Sequence, residues 1–111
     1  MTRLDRTFGA LSDPTRRDIL RRCLRSEHSI SMIATRYPMS FAAVQKHVAV
    51  LERAHLVTKQ RRGREQWVRG DSPTVGFAVE LLEQLEAGWR QRLARFDEVL
   101  EHQLEEGIPW E

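Results

Sequence analysis

The chain has 111 residues, of which 41% are hydrophobic and 31% charged, and its formal net charge is +2, so we expect one small globular domain rather than a disordered polyelectrolyte. Its only cysteine, Cys23, excludes an internal disulfide and fits a reducing compartment. No apolar run approaches the roughly 20 residues that span a bilayer, and the first ten residues carry charges where a secretory signal needs its apolar region. These features predict a cytoplasmic protein with no membrane partner.

Two helices are predicted at the N-terminus. Residues 2–12 place apolar side chains at a three-to-four spacing, which is typical of one helix face. Asp13 is a good N-cap and Pro14 fits a first helical turn, so a second helix is predicted from Pro14 to about Arg25. Cys23 lies on the apolar stripe of this helix, and we expect it in the core; a reactive thiol is the alternative interpretation.

A helix-turn-helix is predicted over residues 30–54. After a polar connection at residues 26–29, Ser29 or Ser31 can cap a short helix over residues 30–36, which Tyr37-Pro38 ends. Ser40 can then cap a longer helix. Two short helices joined by a tight turn are the arrangement with which many proteins enter a major groove.

The outward face of this longer helix bears small residues, one amide and one cation. Gln45 and Lys46 lie on it, and no carboxylate follows until Glu52. Gln can bond bidentately to adenine, and Lys can bond guanine or phosphate. The face is therefore suited to approach a polyanion, although a solvated amphipathic helix is the alternative interpretation.

Residues 56–70 predict a hairpin with a basic tip. Gly63 supplies a turn between two runs of alternating residues, and Arg61, Arg62 and Arg64 surround it. A phosphate or minor-groove contact is the favoured function of this tip, and a charged edge that discourages aggregation is the alternative. An isolated hairpin is marginal in water, so we expect it to pack on the helices.

The last helix is predicted to run from about residue 74 to residue 106, with Thr74 as its cap or Pro73 as its first residue, followed by a tail at 107–111. Its apolar stripe is too long for so small a domain to cover, so a homodimer formed by residues 2–12 and 74–106 is predicted. An intramolecular bundle with the first two helices is the alternative. The predicted interface residues are Leu4, Phe8, Leu11, Leu81, Leu82, Leu85, Trp89, Leu93 and Phe96.

The charges are unevenly distributed along the chain. Residues 36–69 carry a net charge of +6, and residues 74–111 carry a net charge of −6. A basic middle beside an acidic tail is typical of a nucleic-acid surface with a separate scaffold. Oppositely charged faces that pair between subunits are a second, compatible interpretation.

Three segments resemble the ArsR/SmtB-type bacterial transcriptional regulators, in the branch without obvious metal ligands. They are FGALSDPTRRDIL at 8–20, SFAAVQKHVAVLERAHLV at 40–57 and RRGREQWVR at 61–69, and the resemblance covers roughly residues 3–100. It implies a mainly α fold with a small β-hairpin, a winged helix-turn-helix dimerised through its terminal helices, over a single domain at residues 1–106. It also implies binding to a palindromic operator in double-stranded DNA, usually with repression.

The resemblance also assigns individual residues. In this family the hairpin, called the wing, contacts DNA. The resemblance therefore implies DNA contacts by Arg62 and Arg64, and less directly by Arg61. His55 stands where many relatives have glycine after the recognition helix. The implied recognition-helix positions are Ser40, Phe41, Ala42, Gln45, Lys46 and His47.

The chain departs from the metal-sensing members of this family. The third helix has no Cys or His, and the last helix has only His102 with Asp97 and Glu98 nearby. No metal site, cofactor or catalytic constellation is predicted, so we do not expect an enzyme. An unidentified small-molecule effector, a thiol response at Cys23 and a winged-helix module that binds protein rather than DNA remain alternatives.

Overall fold

The computed structural model describes residues 2–106, which form a mainly helical fold with a small antiparallel sheet, as predicted; the predicted tail at 107–111 lies outside them. The chain forms two compact units, each defined by contacts among its own residues: the first ends at Ala78 and the second begins at Val79. The described helices are α1 (Arg3–Leu11), α2 (Pro14–Arg25), α3 (Ile30–Ala34), α4 (Phe41–Arg53) and α5 (Ser72–Glu106). The described strands are β1 (His28–Ser29), β2 (Val57–Arg62) and β3 (Glu65–Gly70).

Three predicted helix caps are confirmed. The side chain of Asp13 accepts a hydrogen bond from the backbone N–H of Arg16 at 3.0 Å, with Pro14 in the first turn of α2. The hydroxyl groups of Ser29 and Ser40 accept from backbone N–H groups at the starts of α3 and α4, each at 3.1 Å. Each bond satisfies a backbone donor that the helix leaves without a partner, so the sequence defines these boundaries locally.

Two predicted boundaries were wrong. The helix α3 ends at Ala34 rather than at residue 36. The last helix begins at Ser72, and Thr74 lies inside it rather than capping it. Thr74 is buried, and its hydroxyl donates to Oδ2 of Asp71, the residue immediately before α5, at 2.7 Å.

The sheet has three strands in the order β1-β3-β2, rather than the two predicted. Residues 26–29 were interpreted as a polar connection, but His28 pairs with Val68 and Ser29 pairs with Trp67 in antiparallel register. A strand of two residues is too short to show an alternating pattern, so it leaves no signal in the sequence. Its pairing extends the hairpin and fixes β3 against the segment between α2 and α3.

The core of the first unit lies between α2, α4 and the sheet. Cys23 is 1% exposed, and burial raises the pKa of its thiol to about 11. It is therefore protonated at neutral pH, which confirms the predicted core position and is the opposite of what a sensor thiol needs. The largest fully buried side chains include Ile19, Ile33, Val44, Val48, Leu51, Leu56, Val57 and Val68.

The second unit is the part of α5 from Val79 onward. Trp89 is 59% exposed and Phe96 is 60% exposed, and the other apolar residues on this face are also exposed apart from the half-buried Leu81. They recur at a three-to-four spacing and share one side of the helix. Glu80, Glu83, Glu98 and Glu101 lie on the other side, and Glu86 and Asp97 lie at the border of the apolar face.

His55, which follows α4, adopts a left-handed backbone conformation with φ +61°. A side chain in this conformation is strained, and glycine is not. The exposed side chain of His55 makes no hydrogen bond or ion pair with another described residue, so nothing is lost on its removal. We expect His55→Gly to raise the free energy of unfolding by about 0.5–1 kcal/mol. Urea unfolding measures this; His55→Ala is the control, and an equal gain in that variant would contradict the explanation.

A polar cluster joins α2 to the turn before α4, and it makes stability depend on pH. The Tyr37 hydroxyl donates to Asp18, which also accepts from Arg21 and Arg22, and these bonds lower the pKa of Asp18 to about 2. Because the ordinary value is 3.8, the stabilisation is present above about pH 4 and is lost as pH falls toward 2.

We therefore expect Tyr37→Phe to lower the free energy of unfolding by about 1–2 kcal/mol at pH 7, with the difference from the parent protein vanishing near pH 2. Urea unfolding across this pH range measures the effect. The same substitution in an Asp18→Asn background is the control and should show little pH dependence. A constant difference at all pH values would mean that packing, not the hydrogen bond, accounts for the loss.

Candidate nucleic-acid interface

The first two turns of α4 present a face that is free of carboxylates. Phe41 is 47% exposed, and Ala42, Gln45 and Lys46 are also exposed. Within the described chain, the side chains of Gln45 and Lys46 make no hydrogen bond or ion pair. An amide and an ammonium group therefore project from a helix surface whose other members are small or apolar.

The packing of α4 determines which residues face outward. Val44, Val48 and Leu51 are fully buried and hold the opposite side of the helix in the core. The only carboxylate on α4, Glu52, lies near the C-terminal end of the helix, where Nζ of Lys59 on β2 is 3.4 Å from its Oε1. The exposed face therefore keeps its positive charge.

Ser40 and His47 were predicted to contact DNA, and both side chains also contact other groups within the protein. Ser40 is exposed, and its hydroxyl is used as the cap of α4. His47 is half-buried, and its Nδ1 lies 3.4 Å from Nη1 of Arg16 and 3.9 Å from Oδ2 of Asp13. Arg16 also donates to the carbonyl of Ala10 at 2.7 Å, so His47 contacts a cluster that joins α1, α2 and α4.

The backbone N–H of Arg16 lowers the pKa of Asp13, with smaller contributions from the charges of His47 and Arg16. Asp13 is therefore ionised at neutral pH and remains an effective cap for α2. Of the predicted contact residues on α4, His47 is the one whose ring is directed to a neighbouring helix.

The three arginines at the tip of the hairpin have different surroundings. Gly63 has φ +64°, which forms the turn between β2 and β3, and Nε of Arg61 donates to its carbonyl at 3.3 Å. Arg64 is exposed and has no described hydrogen-bonding or ionic partner. Arg62 is held by Oε2 of Glu27 at 2.7 Å, and its guanidinium lies 5.6 Å from the ring centroid of Trp67.

Glu27 is a partner of the hairpin arginines that the sequence did not predict. It pairs with Arg62 and lies 3.9 Å from Nη1 of Arg69, so it neutralises part of the hairpin charge. It is separated from Arg62 by 35 residues, and no periodic pattern connects the two. The unpredicted strand β1 explains the contact, because it brings the end of α2 beside β3.

All nine predicted contact residues belong to the first unit, where α4 packs against β2. Ser40, Phe41, Ala42, Gln45 and Lys46 are exposed at the start of α4, and Arg61 and Arg64 are exposed at the hairpin tip. No group of three or more His, Cys, Asp or Glu in the described part of the chain could hold a metal ion. Within residues 2–106, no helix has the length and apolar character needed to cross a bilayer.

Known proteins share this architecture. The chain is 32% identical over 97 residues to the HTH-type transcriptional regulator Rv2034 of Mycobacterium tuberculosis, covering 87% of this chain and 88% of that protein. An ArsR-like transcriptional regulator from Rhodococcus sp. RHA1 superposes with a TM-score of 0.76 and 36% identity, over 87% of this chain and 92% of that one.

At the level of fold alone, the chain is similar to Mb0332 from Mycobacterium bovis, a homodimeric winged helix-turn-helix DNA-binding domain. The TM-score is 0.63 and the identity 24%, over 77% of this chain and 79% of that one. No protein-family model matches the sequence. The identities above 30% over most of both chains, together with the shared winged helix-turn-helix, show that this chain belongs to the ArsR-like family of transcriptional regulators.

Proposed function

We propose that this protein is a homodimeric repressor that binds a palindromic operator through α4 and occupies a promoter. The observation that carries the proposal is the exposed, carboxylate-free face at the start of α4, where Gln45 and Lys46 have no partner within the described chain. A polyanion can approach this face without meeting a like charge. A winged-helix module that binds protein instead of DNA would not need a face without carboxylates.

Gln45 and Lys46 are the residues that we expect to read base edges in the major groove. Gln45 can pair with adenine, and Lys46 can reach guanine or a phosphate. The methyl group of Ala42 and the ring of Phe41 are suited to contact thymine methyl groups. Ser40, at the positive end of α4, is suited to a phosphate contact that orients the helix without reading sequence.

The hairpin is proposed to contact the DNA backbone or minor groove mainly through Arg64 and Arg61. Among residues 2–106, Arg64 has no partner to exchange, and the guanidinium of Arg61 is bonded only to a backbone carbonyl in the turn. Arg62 would have to give up Glu27, and His47 would have to leave Arg16, before either could bind a phosphate with full strength. We therefore assign smaller contributions to these two residues.

The dimer is proposed to use α1 and the apolar side of α5. Phe8 is 37% exposed although it belongs to a hydrophobic stripe, while α1 buries Thr7 and Ala10 against the rest of its unit. The apolar side of α5 is exposed from Leu82 to Leu104. An exposed apolar stripe of this length on a helix is unusual for a monomer, and the same stripe of a second copy would cover it symmetrically.

Operator binding tests the proposed reading residues. Genomic fragments captured by the purified protein at near-physiological salt should share an inverted repeat, with half-sites about one helical turn apart. Gln45→Ala should lower discrimination at one base pair by about 1–3 kcal/mol, and Lys46→Ala should lower affinity for all sequences. Fluorescence anisotropy with matched and mutated operators separates the two effects.

The control for these variants is Arg25→Gln, which removes a cation from the last turn of α2 that is not among the proposed contact residues. It should leave both operator affinity and its salt dependence nearly unchanged. Gln45→Ala with unchanged affinity and unchanged base preference would show that α4 does not read the operator through this residue. Captured fragments without a common motif would contradict sequence-specific binding.

A charge placed on the apolar side of α5 tests the dimer. Trp89→Glu should shift sedimentation from dimer to monomer and weaken operator binding, because a carboxylate would be buried without a partner at the proposed interface. Gln91→Glu adds the same charge on the polar side of α5 and serves as the control. If both variants remained dimeric, this face of α5 would not form the interface.

A further inference from the structure

A groove lies between α1 and the C-terminal half of α4, apart from the proposed DNA contacts. Its volume is about 570 Å³, within the range of small-molecule sites. Ala10 and Ala54, both 2% exposed, and the half-buried Val50 contribute its apolar surface. The groove is therefore large enough for a small organic molecule and has an apolar floor.

Two guanidinium groups border this apolar surface. Arg6 and Arg53 both line the groove, both are exposed, and neither forms an ion pair with a described carboxylate. Asp5, the carboxylate that also lines the groove, is engaged elsewhere: it accepts from the backbone N–H of Thr2 at 3.1 Å and from its hydroxyl at 2.8 Å. Asp5 keeps its charge, but two arginines against one carboxylate leave the groove with a net positive charge and two donors whose planar geometry matches a carboxylate.

Gly9 keeps the groove open. It lies inside α1, where glycine is less favourable than alanine, and it lines the groove. A Cβ built on Gly9 meets no atom within 4 Å, so packing against the protein does not require glycine at this position. Any longer side chain at residue 9 would project into space that the groove now leaves empty.

The groove uses a different side of α1 from the side assigned to the proposed dimer. At about 100° per residue, Arg6 and Gly9 lie on the side of α1 roughly opposite to Leu4 and Phe8. On α1, the residues assigned to the proposed dimer are therefore different from those that line the groove. The groove also lies away from the first turns of α4, where Gln45 and Lys46 project.

We propose that this groove binds a small organic carboxylate with an apolar body. The apolar body lies on Ala10, Val50 and Ala54, and the carboxylate pairs with Arg6 and Arg53. Such a ligand contacts both α1 and α4, so in a DNA-binding regulator it would be an effector; this consequence rests on the proposed function, whereas the site itself does not.

Three probes with one apolar body and different charge test the site: 4-phenylbutyrate, 4-phenylbutanol and 4-phenylbutylamine. The full chain without DNA is titrated with each, and binding is followed by calorimetry and by the methyl NMR signals of Ala10, Val50 and Ala54. The acid should bind and shift these signals. The alcohol should bind about tenfold more weakly or worse, since it forfeits the charged pairing, and the amine should not bind.

Two variants locate the binding. Arg53→Gln should weaken binding of the acid about tenfold, and Gly9→Leu should abolish it by filling the groove. Arg25→Gln removes a cation elsewhere and should bind the acid as the parent does. Circular dichroism checks folding, and if Gly9→Leu does not fold, Arg53→Gln together with the NMR map decides the outcome.

The inference is overturned if the acid does not bind, if the acid and alcohol bind equally, or if the shifted methyl signals lie outside the groove. Because these measurements contain no DNA, they are independent of operator binding. A protein that binds the acid but no operator contradicts the proposed function alone, and a protein that binds an operator but no acid contradicts this site alone.

Discussion

The structure depends on how the buried side of α4 fits into the core. Val44, Val48 and Leu51 are fully buried, and they fix the rotation of the helix about its own axis. A turn of one residue, about 100°, would move Gln45 and Lys46 toward the core and bring apolar side chains to the surface. The hydrophobic effect thus holds a polar surface in one orientation, although none of the buried residues needs to touch a ligand.

The charge of the hairpin is smaller in the folded protein than its sequence indicates. Arg62 and Arg69 share Glu27, and Lys59 neutralises Glu52, so several cations counted in the basic segment are already paired. Exposed ion pairs of this kind contribute little stability. Among the predicted contact residues, the cations that keep no carboxylate partner within the described chain are Lys46, Arg61 and Arg64. Unpaired charge at these positions favours contacts at defined points of a polyanion.

The elements that the sequence predicted well are those with local signals. The caps at Asp13, Ser29 and Ser40 depend on bonds within three residues, and the core of α4 follows from a regular spacing. The strand β1, the partner of Arg62 and the position of His47 depend on contacts between distant segments, and no periodicity encodes such contacts. The nine candidate residues could be selected from the sequence, but their different degrees of intramolecular pairing could not.

Three sides of the helix α1 have different roles: one packs in the core, one is assigned to the dimer interface, and one borders the groove. One side buries Thr7 and Ala10 in the first unit, one presents Leu4 and Phe8 to a second copy in the proposed dimer, and one borders the groove beside α4. Arg16 joins this helix to α4 through the carbonyl of Ala10 and through His47. A displacement of α1 would therefore alter the dimer contact and the setting of α4 together. Two sites that share one rigid element in this way can be coupled without any contact between their ligands.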